Sequence, residues 1–369
     1  MKRLVFFLII VLLIPRNCYA LCNSSSSCIL IDNGSGRVLY SKNKDQKRLI
    51  ASTTKLMTFL IAYENGNLNK KIRAKDEILK MYGTSIYLSM NEEMILRDML
   101  YGLILRSGND VSEVIANNIG NSYDEFISLM NSKAKELEMR NTLFLNPHGL
   151  DEETENYSTS YDMGLLARYL SNIPFYLEVA STKHYVTTTS LKAYDWYNRN
   201  KLLTQYKYAI SGKNGYTPKA GKTLVSGAVK GNLSLSAVSL NDSDIYNTHI
   251  SLYEYGFNNY DNYMILNKDN FNYEDDYYDG DYYIKNSFYY PLLESEKDDV
   301  NIFIQIIKNV DLENTNKVGN VIVYFDEKEI HREVLYIDYD FRIKTKNFFE
   351  EVVDFLKSIF SWKKLIKCV

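Results

Sequence analysis

The chain is 369 residues long, beyond the roughly 100–200 residues of one ordinary domain, so two folded units are expected. Hydrophobic residues make up 46% and charged residues 24%, a globular balance that excludes a disordered or fibrous protein, and a net charge of −3 leaves no electrostatic footprint for a nucleic-acid partner. With only four histidines, a histidine metal site or histidine base has few candidates, so catalysis would use another base; no metal ion or cofactor is expected.

The chain opens with Lys2 and Arg3, an apolar run over residues 4–14, and Cys18-Tyr19-Ala20, a small-x-small cleavage pattern. Residues 1–20 therefore read as an export signal, with the mature chain starting near Leu21. A retained anchor is the alternative, but about ten apolar residues fall short of the roughly 20 that span a bilayer. Export makes disulfides available, and Cys22 and Cys28 are the only close pair in the mature chain; the sequence leaves open whether they are bridged or free. Cys368 has no evident partner, and neither Cys18 nor Cys22 fits a lipoprotein cleavage site.

Ile29-Leu30-Ile31-Asp32 and Arg37-Val38-Leu39-Tyr40 flank Asn33-Gly34-Ser35-Gly36, which predicts a hairpin. From Ser52 the chain reads Thr53, Thr54 and Lys55, then Leu56, Met57, Phe59, Leu60, Ile61 and Ala62, apolar almost all round. That pattern predicts a core helix starting near Ser52. Helical spacing recurs over 92–118 and 123–139, and two β-rich runs, 223–229 and 233–240, are joined by Lys230-Gly231-Asn232. Tyr, Asp and Asn dominate 258–283, where a domain boundary is expected. Beyond it, the β-rich runs 300–307, 318–325 and 329–337 predict a small all-β unit, and 348–366 returns to helical spacing.

Three short patterns carry chemistry. Ser52 and Lys55 are three residues apart, so a helix beginning at Ser52 puts both on one face, its N-terminal amides near the hydroxyl. Burial would lower the lysine pKa and leave a neutral amine able to take the hydroxyl proton. The spacing recurs at Ser41/Lys44, Ser132/Lys135 and Ser361/Lys364, but only Ser52 opens a helix that is apolar behind it. Ser107-Gly108-Asn109 offers a hydroxyl and an amide on a turn between helical segments. Lys213-Asn214-Gly215-Tyr216 precedes the 223–240 strands in a run that reads as an edge strand, where a lysine can meet a carboxylate and a glycine admits close backbone approach.

In this order the three patterns resemble the S-x-x-K, S-x-N and K-T-G signature of the penicillin-binding and serine β-lactamase superfamily. More closely the chain resembles the low-molecular-weight D-alanyl-D-alanine carboxypeptidases, peptidase family S11. The likeness rests on Ala51-Ser52-Thr53-Thr54-Lys55-Leu56-Met57-Thr58, Ser107-Gly108-Asn109-Asp110, Asn146-Pro147-His148-Gly149-Leu150, and Gly215-Tyr216-Thr217 followed by Ala220-Gly221. It implies an α/β (α+β) penicillin-binding/serine β-lactamase-like transpeptidase fold over 21–257, a boundary segment over 258–283, a small all-β domain over 284–345 and an amphipathic C-terminal helix over 346–369.

It also implies a hydrolase that removes the terminal D-alanine from peptidoglycan stem peptides and is acylated by β-lactams. Ser52 would be the nucleophile, Lys55 its base and Ser107 a proton relay. Asn109 would hold the substrate backbone, Lys213 and Asn214 the terminal carboxylate, and the amides of Ser52 and Tyr216 the oxyanion, with Gly215 giving the strand its close approach. His148, in a turn bracketed by Asn-Pro and Gly, reads as structural. Asn214 stands where the signature has Thr, which keeps a catalytically weak or silent penicillin-binding protein as the alternative. A β-lactamase reading lacks a well-placed Glu to activate deacylating water. The mature protein is expected outside the cytoplasmic membrane. Its last helix would lie on that surface, because Phe348, Val352, Phe355, Ile359 and Trp362 share one side and Lys363, Lys364 and Lys367 favour anionic lipid.

Overall fold

The structure, a computed structural model, describes residues 21–312 and 314–338. The expected export signal (1–20), the C-terminal helix (346–369) and Cys368 lie outside the described residues. The chain divides into two compact units, Met1–Gly256 and Phe257–Val369.

The first unit opens with β1 (Ser25–Asp32) and β2 (Val38–Lys42). A helical region follows: α1 (Lys55–Asn65), α2 (Leu96–Tyr101), α3 (Asn109–Asn118), α4 (Tyr123–Glu136), α5 (Ser160–Leu170) and α6 (Pro174–Ser181). After the hairpin β3 (His184–Thr188) and β4 (Ala193–Tyr197), the chain completes the main sheet with β5 (Ala209–Thr217), β6 (Gly221–Lys230) and β7 (Leu233–Asp242), and ends the unit on α7 (Ile245–Asn259). The sheet is antiparallel in the order β2-β1-β7-β6-β5, so β5 is an edge.

The unbroken apolar run in β1 follows from helices on both faces. A Cβ on Gly164 of α5 would stand 3.4 Å from Ile29, and one on Gly256 of α7 would stand 2.9 Å from Leu30. A strand covered on both sides has no solvent face to make polar. The β1–β2 turn is held by Asp32, whose carboxylate accepts from the Ser35 amide (2.6 Å) and hydroxyl (2.7 Å). The left-handed position therefore falls on Gly36 (φ 79°), not within the Asn-Gly pair. Cys22 and Cys28, left open by the sequence, are joined in a disulfide and fully buried.

Two expected helical stretches differ in detail. The helix expected from Ser52 begins at Lys55, because Ala51–Thr54 forms a 3₁₀ turn. The Thr53 hydroxyl (2.6 Å) and amide (3.2 Å) both take the Ile50 carbonyl, a local side-chain bond that competes with α-helical pairing. Glu93–Ile95 is a short strand paired with Lys71–Arg73, its Met94 buried between two half-buried neighbours, a period of two rather than 3.6.

In the second unit, β8 (Asp261–Leu266), β9 (Asp281–Tyr283), β10 (Phe288–Leu292), β11 (Val300–Ile306), β12 (Lys317–Phe325) and β13 (Lys328–Asp338) form a four-stranded sheet in the order β9-β13-β12-β11 and the pair β8-β10. Val321, Val323, Leu335 and Ile337 build its core at alternate positions of β12 and β13. Among the described residues no helix is long and apolar enough to cross a membrane, and no cluster of His, Cys, Asp or Glu is arranged to hold a metal ion.

Candidate active site

The site forms where the edge strand β5 meets the turn that leads into α1. Lys55, the first residue of α1, is fully buried, and its Nζ donates to Ser52 Oγ (3.1 Å), Asn109 Oδ1 (2.7 Å) and the His148 carbonyl (2.6 Å). Burial pushes its pKa well below the ordinary lysine value, the positive charge of Lys213 pushes the same way, and Asp110 opposes both. The ammonium is thus penalised, and a neutral amine in its place can accept a hydrogen bond from the Ser52 hydroxyl 3.1 Å away.

The backbone on either side is strained. Ala51 (φ 47°) and Ser107 (φ 63°) both occupy the left-handed region that costs a non-glycine residue on the order of 1 kcal/mol. Gly149 explains how Ala51 is held: a Cβ there would stand 2.0 Å from the Ala51 carbonyl, so only glycine lets the 146–150 loop close on the Ser52 turn.

Ser107 ends a π-helical turn, Gly102–Arg106, and Asn109 starts α3; both are buried. Asn109 is fixed from both ends, its Oδ1 accepting from Lys55 and its Nδ2 donating to the Tyr82 carbonyl (2.7 Å). Residues 82–88 are stitched to this turn. The Asn109 amide donates to Thr84 O (2.7 Å), the Thr84 hydroxyl to Ser107 O (2.7 Å), and the Asp110 carboxylate accepts from the Ile86 and Leu88 amides (3.0 Å each).

On β5, Lys213 is buried and its Nζ donates to the Asn214 carbonyl (2.6 Å). Burial, aided by the charge of Arg199, pushes its pKa down to about 7. A Cβ on Gly215 would stand 2.7 Å from the Ser52 amide nitrogen and 2.7 Å from Thr223 Oγ1, so strand and turn are in backbone contact. Thr223 binds the Ile50 carbonyl (3.2 Å) and ties β6 to the same turn. Asn214 is half-buried and Tyr216 exposed at the rim.

Ser52, Lys55 and Asn109 are therefore joined by direct hydrogen bonds, Gly215 abuts the Ser52 amide, and Lys213 lies near enough for its charge to reach Lys55. Ser107 and Tyr216 stand beside these contacts in the chain. His148 offers Lys55 only its carbonyl; its ring is turned to Glu113 and to the Leu150 amide. Sequence reasoning passed over Tyr82, Thr84 and Glu113. The first two sit in a loop with no periodic signal, whereas Glu113 lies one helical turn after Asn109.

An antiparallel sheet whose edge strand meets the start of a Ser-x-x-Lys helix is the arrangement of the penicillin-binding and serine β-lactamase-like class. The chain belongs to the D-alanyl-D-alanine carboxypeptidase family (peptidase S11), whose sequence profile matches residues 19–244. It is 37% identical over 224 residues to the D-alanyl-D-alanine carboxypeptidase DacF of Bacillus subtilis (59% of this chain, 57% of the relative). It is 33% identical over 248 residues to DacC of Escherichia coli (62% and 60%). The chain thus spans less than two thirds of the length of these relatives. Among solved structures, a D-alanyl-D-alanine carboxypeptidase from Mycobacterium tuberculosis aligns with TM-score 0.61 at 26% identity over 64% of this chain and 91% of that one. Penicillin binding protein 5 from Haemophilus influenzae aligns with TM-score 0.71 over 86% and 97%, a likeness of fold at 22% identity.

Proposed function

We propose that the protein is a serine D-alanyl-D-alanine carboxypeptidase acting on peptidoglycan stem peptides and acylated by penicillin. The observation that carries this reading is the fully buried Lys55 amine, 3.1 Å from Ser52 Oγ, with a pKa depressed by burial. Ser52 Oγ attacks the carbonyl carbon between the two D-alanines while its proton passes to neutral Lys55. The oxyanion is held by the amides of Ser52 and Tyr216, a role supported by the close approach of Gly215 to the Ser52 nitrogen. The C–N bond then breaks; the departing D-alanine amine takes a proton from Lys55 through the Ser107 hydroxyl, leaving the Ser52 ester. Water attacks this ester, gives up a proton to the same lysine and releases the shortened peptide with the Ser52 hydroxyl restored. Asn109 aligns the substrate amide, and Lys213 with Asn214 binds the terminal carboxylate.

The domain division stated from the sequence, export by residues 1–20 and attachment of residues 346–369 to the outer face of the membrane belong to the same proposal. Vesicle flotation of the mature chain against one ending at Asn347 tests the attachment: equal binding to anionic lipid removes it. For the activity, the mature chain should release D-alanine from an acylated Lys-D-Ala-D-Ala peptide and Ser52→Ala should not. Release by Ser52→Ala would overturn the mechanism, and no release by the wild type would leave a penicillin-binding protein without turnover.

A further inference from the structure

We infer that Glu113 and His148 form a positioning pair that fixes the Lys55 amine through the His148 carbonyl, an inference that rests on the reading of Lys55 as the base. Asn109 and Glu113 are four residues apart on α3 and share a helix face. Asn109 reaches Lys55 directly (2.7 Å), while Glu113 Oε1 lies 3.2 Å from His148 Nε2, both side chains being about nine-tenths buried. The Leu150 amide donates to His148 Nδ1 (3.0 Å), which places the ring hydrogen on Nε2, aimed at the carboxylate. Both ring nitrogens are therefore occupied in holding the loop.

The same loop is tied to α1, where Thr58, three residues after Lys55, donates to the Pro147 carbonyl (2.6 Å). Asn146 Oδ1 accepts from the amides of His148 (3.3 Å) and Gly149 (2.7 Å). Held between α1 and α3, the loop presents the His148 carbonyl to Lys55 Nζ at 2.6 Å, the shortest of that amine's three contacts. The charged and titratable groups facing His148 are Glu113, Lys55 and Glu153; Tyr123 (3.4 Å) faces Glu113, and Lys213 and Asp110 face Lys55. Burial and the charge of Lys55 push the imidazole pKa down against the pull of Glu113, so the ring serves as a neutral tether.

A displacement of about 1 Å at a reacting group costs about a hundredfold in rate, so loosening this carbonyl should be visible in the chemistry. The experiment measures the second-order rate of acylation by a fluorescent penicillin between pH 5 and 9, with thermal melting of each variant of the mature chain. Glu113→Ala, and His148→Ala, which keeps the backbone carbonyl, should each slow acylation about tenfold or more per folded molecule. Their acid limb should move to lower pH, because an ammonium that loses an acceptor is less stable. The double variant should be no slower than either single one, and Glu113→Gln, which still accepts from Nε2, should stay within about threefold of wild type. Should Glu113→Ala fold poorly, His148→Ala carries the test. Truncations within about twofold of wild type with an unmoved acid limb, or effects that multiply in the double variant, would overturn the inference. An unreactive wild-type chain would instead bring down the reading of Lys55 as base, and this inference with it.

Discussion

Gly215→Ala tests the contact between strand and turn most sharply. The added methyl would stand 2.7 Å from the Ser52 nitrogen and 2.7 Å from Thr223 Oγ1, in each case about 0.7 Å inside an ordinary 3.4 Å contact. Neither neighbour is the free end of a long side chain: one is backbone, and Thr223 Oγ1 is bonded to the Ile50 carbonyl. Relief has to come from β5, which is paired only with β6 and can swing outward. That motion carries the Tyr216 amide away from Ser52, lengthening one of the two proposed oxyanion contacts beyond the 2.7–3.1 Å range in which such a donor works. Acylation by penicillin should fall about a hundredfold, while overpacking costs about 1–3 kcal/mol and leaves the chain folded. Stopped-flow acylation together with thermal melting separates the two effects. A variant acylated within about threefold of the wild-type rate would refute the proposed oxyanion geometry.

Lys213→Met should raise stability by about 1–2 kcal/mol at pH 6 while weakening binding of peptides with a free C-terminal carboxylate. The folded pKa of Lys213, about 7, lies below the ordinary 10.5, so the unfolded chain binds the extra proton between these values. The penalty is fully present below pH 7 and fades toward pH 10.5, and the stabilisation in melting curves should fade with it; a gain that grows with pH would contradict the assignment. Asn214→Thr should raise kcat/KM on D-Ala-D-Ala peptides, since a hydroxyl is shorter than an amide and lacks its extra acceptor; an unchanged or lower value would mark Asn214 as adapted to this site. Replacing Cys22 and Cys28 by Ser should cost about 2 kcal/mol in denaturant unfolding, the loop-closure value for so short a loop. It should leave acylation unchanged, and a loss of acylation would show that the bridge reaches the site.

The Ser52–Lys55 pair was legible because one helical turn sets its geometry, and the three patterns were legible because each is confined to a few residues. The 3₁₀ form of the Ser52 turn is not legible, because nothing in local propensity reports that Thr53 takes the Ile50 carbonyl for itself. Convergence was not legible: Asn109 and the carbonyl of His148 reach Lys55 from 54 and 93 residues away. The 82–88 loop, which holds Asn109 through backbone carbonyls, has no pattern to read. Nor has the buried network in which Ser226 Oγ lies 2.6 Å from His249 Nδ1 and 2.7 Å from Tyr253 OH, locking α7 to β6. The disulfide stayed open because spacing alone does not say whether two Cβ vectors face one another.

The central claim is that Ser52 is acylated with Lys55 as its base. Intact mass of the mature chain after exposure to penicillin, followed by peptide mapping, tests it most directly. One β-lactam should be added without loss of atoms and map to Ser52, and Lys55→Ala should remain folded and unlabelled. Label mapping to any other residue, or labelling of Lys55→Ala at the wild-type rate, would contradict the account.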